Sequence, residues 1–123
     1  MRVETRVPER ARLGEAISVT LAIRNVGTTA RELHFQGRTV VFNIVVEDEA
    51  GSVVWRRLDR AATLAILRVD MLAPGKELVF TGEWLQHDRA GRPVERGTYA
   101  IHGEFPSDAP EPLRTPRARI EIY

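Results

Sequence analysis

Few side chains in this sequence of 123 residues could carry chemistry, and their spacing argues against most of it. Cysteine is absent, which excludes disulfides, thiolate nucleophiles and zinc–thiolate sites. The histidines are His34, His87 and His102. A two-histidine metal site would need His34 and His102 on adjacent strands; otherwise both read as solvated strand residues, with His87 in a loop. Ser18, Ser52 and Ser107 stand in no Gly-x-Ser-x-Gly elbow, so a serine hydrolase is not expected. Glu47-Asp48-Glu49 is a carboxylate run without the Asp-x-Asp spacing of calcium loops, and a charged hairpin tip explains it equally. No glycine-rich phosphate loop follows a strand. No metal or cofactor is expected, and the chain reads as a binding or structural module rather than an enzyme.

Charge narrows the partners. Eighteen basic residues against seventeen acidic ones leave a net charge of +1, far from the balance of a nucleic-acid binder. All the basic residues but Lys76 are arginine, a side chain suited to carboxylates and phosphates, yet nothing gathers them into one face. No apolar run approaches the roughly 20 residues of a membrane span, so no membrane partner is expected. The N-terminus alternates from its first residues and lacks the apolar stretch of a signal peptide. As written the chain reads as cytoplasmic; a mature fragment of an exported protein would look the same.

The elements that must position any site are strands. Residues 1–123 suit one domain, long enough to bury a core. Leu78, Phe80, Gly82 and Trp84 alternate with Glu77, Val79, Thr81 and Glu83, after a Pro74-Gly75 turn. Tyr99, Ile101 and Phe105 form the inner face of the strand opened by Gly97, which is expected to pair with the Leu78–Trp84 strand. Val3 to Val7, Ile17 to Ile23, Leu33 to Phe35 and Ala118 to Ile122 also alternate. Val40 to Asp48 should direct Phe42, Ile44 and Val46 inward, leaving Val41 and Val45 on an apolar outer face that needs partial cover. A hairpin then leads into Val53-Val54-Trp55-Arg56, and residues 60–65 suit a short helical turn before a strand from about 66 to 72. Glu9 to Gly14, Gln86 to Arg96 and the proline-rich stretch from Pro106 to Pro116 read as links, and no internal repeat is visible. About eight or nine short strands with at most one helical turn indicate an all-β antiparallel sandwich or barrel. Gly97-Thr98-Tyr99 suits a tyrosine corner, which supports the sandwich. Phe42, Trp55, Phe80, Trp84 and Tyr99 are the expected aromatic core.

An ordered set of fragments resembles the BsuPI-type intracellular proteinase inhibitor family. It runs from Val19-x-Leu21-x-Ile23-x-Asn25-x-Gly27 through Leu33-x-Phe35-x-Gly37 and Phe42-x-Ile44-x-Val46-x-Asp48 to Gly51 and Val54-Trp55-Arg56. It continues with Leu72-Ala73-Pro74-Gly75, Trp84, Gly91-x-Pro93-Val94 and Gly97-Thr98-Tyr99-x-Ile101-x-Gly103. The resemblance implies an immunoglobulin-like β-sandwich and, in at least the founding member, inhibition of cytoplasmic subtilisin-like serine proteinases. Such domains also serve as adhesive or accessory modules, and no motif fixes a reactive loop.

Two readings follow. In the first, the chain binds a proteinase by presenting Gln86 to Arg96 as an extended, rigid loop, offering Arg89, Arg92 and Arg96. A subtilisin-like cleft takes apolar residues, whereas these arginines suit a trypsin-like one, so the sequence leaves both a subtilisin-like and a trypsin-like target open. In the second, the chain is a non-catalytic interaction module, a monomer or weak homodimer that associates through a loop or through the face of Val41 and Val45.

Overall fold

Period-two alternation produces strands throughout the computed structural model, which describes residues 1–36, 41–58, 67–105 and 113–123. The strands are β1 (Arg2–Arg6), β2 (Arg10–Ala11), β3 (Ile17–Arg24), β4 (Arg31–Gln36), β5 (Asn43–Glu47) and β6 (Val53–Arg56). After them come β7 (Leu67–Leu72), β8 (Glu77–Trp84), β9 (Gly97–Phe105), β10 (Leu113–Arg114) and β11 (Ala118–Ile122). No helix occurs among the described residues, and none is long and apolar enough to cross a membrane. The helical turn expected at 60–65 lies outside the described residues.

One sheet has the order β1-β3-β8; the other runs β2-β11-β9-β5-β6, with β10 against the end of β9. β4 and β7 pair separately. Every pairing is antiparallel except β2 with β11. The fold is thus an all-β sandwich, and β8 and β9, expected to pair, lie in opposite sheets: β8 pairs with β3, and β9 with β5 and β11.

The two sheets close because each offers a bare backbone to a large side chain of the other. A Cβ on Gly103 of β9 would stand 2.4 Å from Leu21 of β3, and one on Gly82 of β8 would stand 2.7 Å from Ile44 of β5. Around these contacts Ile17, Val19, Ile23, Val46, Ile101 and Ile120 are fully buried, as the alternation requires. Phe35, Phe42, Phe80 and Phe105 pack at one end, with centroids 5.2 Å apart for Phe80–Phe105 and 5.6 Å for Phe42–Phe80. Trp84 and Tyr99 meet edge to face at 5.5 Å, and Trp84 has no exposed surface. Phe42, Trp55 and Phe80 are only partly buried against this core.

Asn25 ties the turn regions together. Buried at the end of β3, it donates to Thr29 O at 2.8 Å and Leu72 O at 2.9 Å, and its Oδ1 accepts from Gly27 N. Its backbone carbonyl accepts from Gly75 N, the residue with φ of 77° in the β7–β8 turn.

Three further expectations are corrected. The strand expected from Val40 begins at Asn43, and Val45 is 1% exposed, so both faces of β5 are covered. Val45 lies opposite Arg56 and His102 on the outer face, so its cover within the chain is fuller than the partial cover expected. The links at 9–14 and 106–116 contain β2 and β10, two-residue strands too short to show a period.

The contact between β3 and β9 leaves no room for a methyl group. Gly103→Ala should cost about 1–3 kcal/mol through overpacking. The same change in a Leu21→Ala background should cost clearly less, because the two sites share one space. Urea melts of the four proteins measure both.

Candidate functional site

The connection from β8 to β9 is a short hairpin whose base is bolted to the sandwich by three side chains. Gln86, 2% exposed, has a positive φ of 58° that a non-glycine residue adopts only when its surroundings hold it. Its amide nitrogen donates to Arg12 O at 2.7 Å and Glu15 O at 2.8 Å, and its Oε1 accepts from Gly14 N at 3.0 Å. The Trp84 indole N–H donates to His87 O at 3.0 Å. The Tyr99 hydroxyl donates to Glu95 O at 2.6 Å, the bond back to upstream backbone that defines a tyrosine corner. Across the arms, Val94 N donates to Gln86 O, and His87 bridges Pro93.

The tip is a closed turn, not the extended segment expected from the sequence. Asp88 Oδ1 accepts from Ala90 N and Arg92 N at 2.9 Å each. Gly91 N, on a residue with φ of 81°, donates to Asp88 O at 3.0 Å, and Asp88 N donates to Arg92 O at 2.8 Å. Aspartate closing on its own downstream amides, with glycine in the left-handed region, makes this geometry from local sequence alone. The β5–β6 turn repeats it bond for bond. Asp48 Oδ1 accepts from Ala50 N at 3.0 Å and Ser52 N at 2.9 Å; Gly51 N donates to Asp48 O and Asp48 N to Ser52 O. Asp48-Glu49-Ala50-Gly51 and Asp88-Arg89-Ala90-Gly91 are therefore a repeat of Asp-x-Ala-Gly, readable in the sequence but hidden in links of different length.

Of the candidate contact residues, Arg89 and Arg92 share this tip and are exposed. Arg89 N also donates to Val54 O at 3.0 Å, which seats the tip on the edge of β6. Arg96 is exposed on the second arm and borders Glu49 rather than the tip. A cleft of about 560 Å³ lies between the two turns, lined by Val53, Val54, Pro93 and Val94 together with charged residues of both turns and Glu95.

The histidines do not assemble. His34 sits on β4, and His102 on β9 of another sheet, so the adjacency that a two-histidine site needs is missing. His102 is 5% exposed rather than solvated. Its Nε2 lies 3.4 Å from Glu104 and its Nδ1 3.5 Å from Glu47, and the same two carboxylates pair with Arg56, Arg114 and Arg117. Glu104 lies two residues along β9 from His102, but the other partners arrive from β5, β6, β10 and the 115–117 bend, which is why single-strand alternation missed them. Glu47 turns to this network, Asp48 to its own turn and Glu49 to solvent, so the three carboxylates diverge; no metal-binding group occurs among the described residues.

Comparison with known proteins gives one extended match in sequence: a family model described as BsuPI, intracellular proteinase inhibitor, covers residues 4–109. No curated protein matches the chain. Among solved structures, a β-glucosidase from Erythrobacter marinus is 16% identical with a TM-score of 0.51, covering 98% of this chain and 15% of its own. A mutant β-glucosidase from Listeria innocua, in complex with laminaribiose, has 16% identity and a TM-score of 0.48, over 99% of this chain and 16% of that one. The CARDB domain of a Pyrococcus furiosus protein, in complex with di-metal ions, has 13% identity and a TM-score of 0.48, over 98% and 85%. The chain spans about a sixth of the glucosidases it matches, and these likenesses concern fold alone.

The anchors of the loop differ in what their removal should do. Trp84→Ala leaves a large cavity and should cost about 3–5 kcal/mol, whereas Arg89→Ala should stay within about 0.5 kcal/mol. Burial, then the Glu95 and Asp48 carboxylates, raise the Tyr99 phenol above its ordinary 10.0. A raised folded value means stability that is whole below about pH 10 and is lost as pH climbs through the folded value. Tyr99→Phe should cost about 0.5–1.5 kcal/mol at neutral pH and flatten that alkaline loss. Denaturant melts at pH 7 and across the alkaline range report all three.

Proposed function

The chain belongs to the BsuPI family of intracellular proteinase inhibitors, and on that premise we propose that it binds a serine proteinase through the 86–96 loop. The observation that carries this reading is the anchoring of that loop: Trp84 and Tyr99 each donate to its backbone, and the buried Gln86 amide fastens its first arm to residues 12–15. A contact surface already ordered before binding loses little conformational entropy on association. The closed tip makes the loop a wedge rather than an added strand. Arg89 and Arg92 meet the proteinase, while the backbone of 88–92 stays engaged with Asp88. Arginine at the tip favours a trypsin-like cleft, lined by carboxylate, over a subtilisin-like one. The same premise supports a cytoplasmic setting and a role without catalysis.

Titration against trypsin and subtilisin tests the proposal. Stoichiometric loss of proteinase activity is expected, more strongly for trypsin, with the loop left uncut. Arg89→Ala and Arg92→Ala should each weaken inhibition about tenfold or more while leaving the melt unchanged. Progressive cleavage at the tip with proteinase activity undiminished would make the loop a substrate and end the inhibitor reading.

A further inference from the structure

We infer that the contact surface is two-pronged: the Asp48–Ser52 turn engages the same partner as the Asp88–Arg92 turn, with opposite charge. This rests on the proteinase-binding reading above and extends it to a second element. Three observations carry it. The turns share one hydrogen-bond pattern, so both tips are fixed by their own aspartate and present their second residue outward: exposed Glu49 on one, exposed Arg89 on the other. They flank one cleft of about 560 Å³, in which Val53, Val54, Pro93 and Val94 supply apolar surface. Arg89 N bonded to Val54 O joins the basic turn to the strand that leaves the acidic one, so the prongs are held in fixed relation.

A negative tip and a positive tip astride a cleft of mixed lining, its apolar residues set among the charged ones of both turns, select a partner by charge order. The occupant is a ridge of the proteinase surface with an apolar segment entering the cleft, a cation opposite Glu49, and carboxylates opposite Arg89 and Arg92. On the arm between, Glu95 lines the cleft and Arg96 borders Glu49. Like charge brought against either prong is penalised, so the surface discriminates among proteinases as well as binding one.

Charge reversal separates this inference from the reading beneath it. Inhibition constants for trypsin and subtilisin are measured with the wild-type chain, Glu49→Lys, Arg92→Glu and the double variant. Melting temperatures serve as the folding control, since neither side chain makes its turn. Both single reversals should weaken inhibition about tenfold, and the double variant, with its charge order inverted, should remain weak. Raising salt to 1 M should shrink the differences among the four, because screening reaches about 3 Å. Wild-type inhibition by Glu49→Lys beside a loss in Arg92→Glu would leave the loop as the inhibitor and overturn the second prong. A wild-type chain that inhibits neither enzyme would overturn the proteinase reading, and the two-pronged surface with it.

Discussion

The distance between the two sheets is set by side chains meeting bare backbone, Leu21 against Gly103 and Ile44 against Gly82. Any larger residue at either glycine would hold the layers apart, and most other features depend on that closeness. Gly103 lies on β9 and Gly82 on β8, the two strands that emit the arginine-tipped loop. Their close approach lets Trp84 and Tyr99 touch across the core while their polar atoms reach the loop backbone. The core thus determines where the loop begins and ends, and buried polar groups determine its path.

Polar groups are placed economically in this fold. Thr115 shows it well: Gly103 N donates to its Oγ1 at 2.7 Å, and its own N donates to Gly103 O at 2.9 Å. Between β10 and β11 a side chain stands in for a missing ladder partner, which lets the chain bend without leaving a buried amide unsatisfied. From the 115–117 bend onward, Arg117 reaches Glu47 and helps enclose His102. The charges of this outer face pair with one another, so it is a structural network that ties β5, β6, β9 and β10 across the sheet.

What could be read from the sequence was what repeats along one strand. The inner faces of β3, β8, β9 and β11 follow from alternation, and Pro74-Gly75 and Tyr99 from local chemistry, because in each case the deciding neighbours are two to four residues away. His102 was misjudged because its environment is built from four other elements. Val45 was misjudged likewise, since a strand central to its sheet can be covered on both faces. The tip of the loop belongs to a different class: Asp88 and Gly91 hold the turn signal in full, and a link read for length and polarity alone conceals it. Gln86 gave no signal, since a buried glutamine at positive φ is selected by three backbone partners on the link that enters β3, some seventy residues away in sequence.

The central claim is that one end of the sandwich, with its two aspartate-closed turns, is the face that meets a proteinase. Hydrogen–deuterium exchange of the chain, alone and with a trypsin whose nucleophilic serine is replaced by alanine, tests it without risk of cleavage. Slowed exchange confined to peptides spanning 47–54 and 86–96 is the result this account predicts. Unchanged exchange there, with protection on β4 and β7 or none at all, would contradict it.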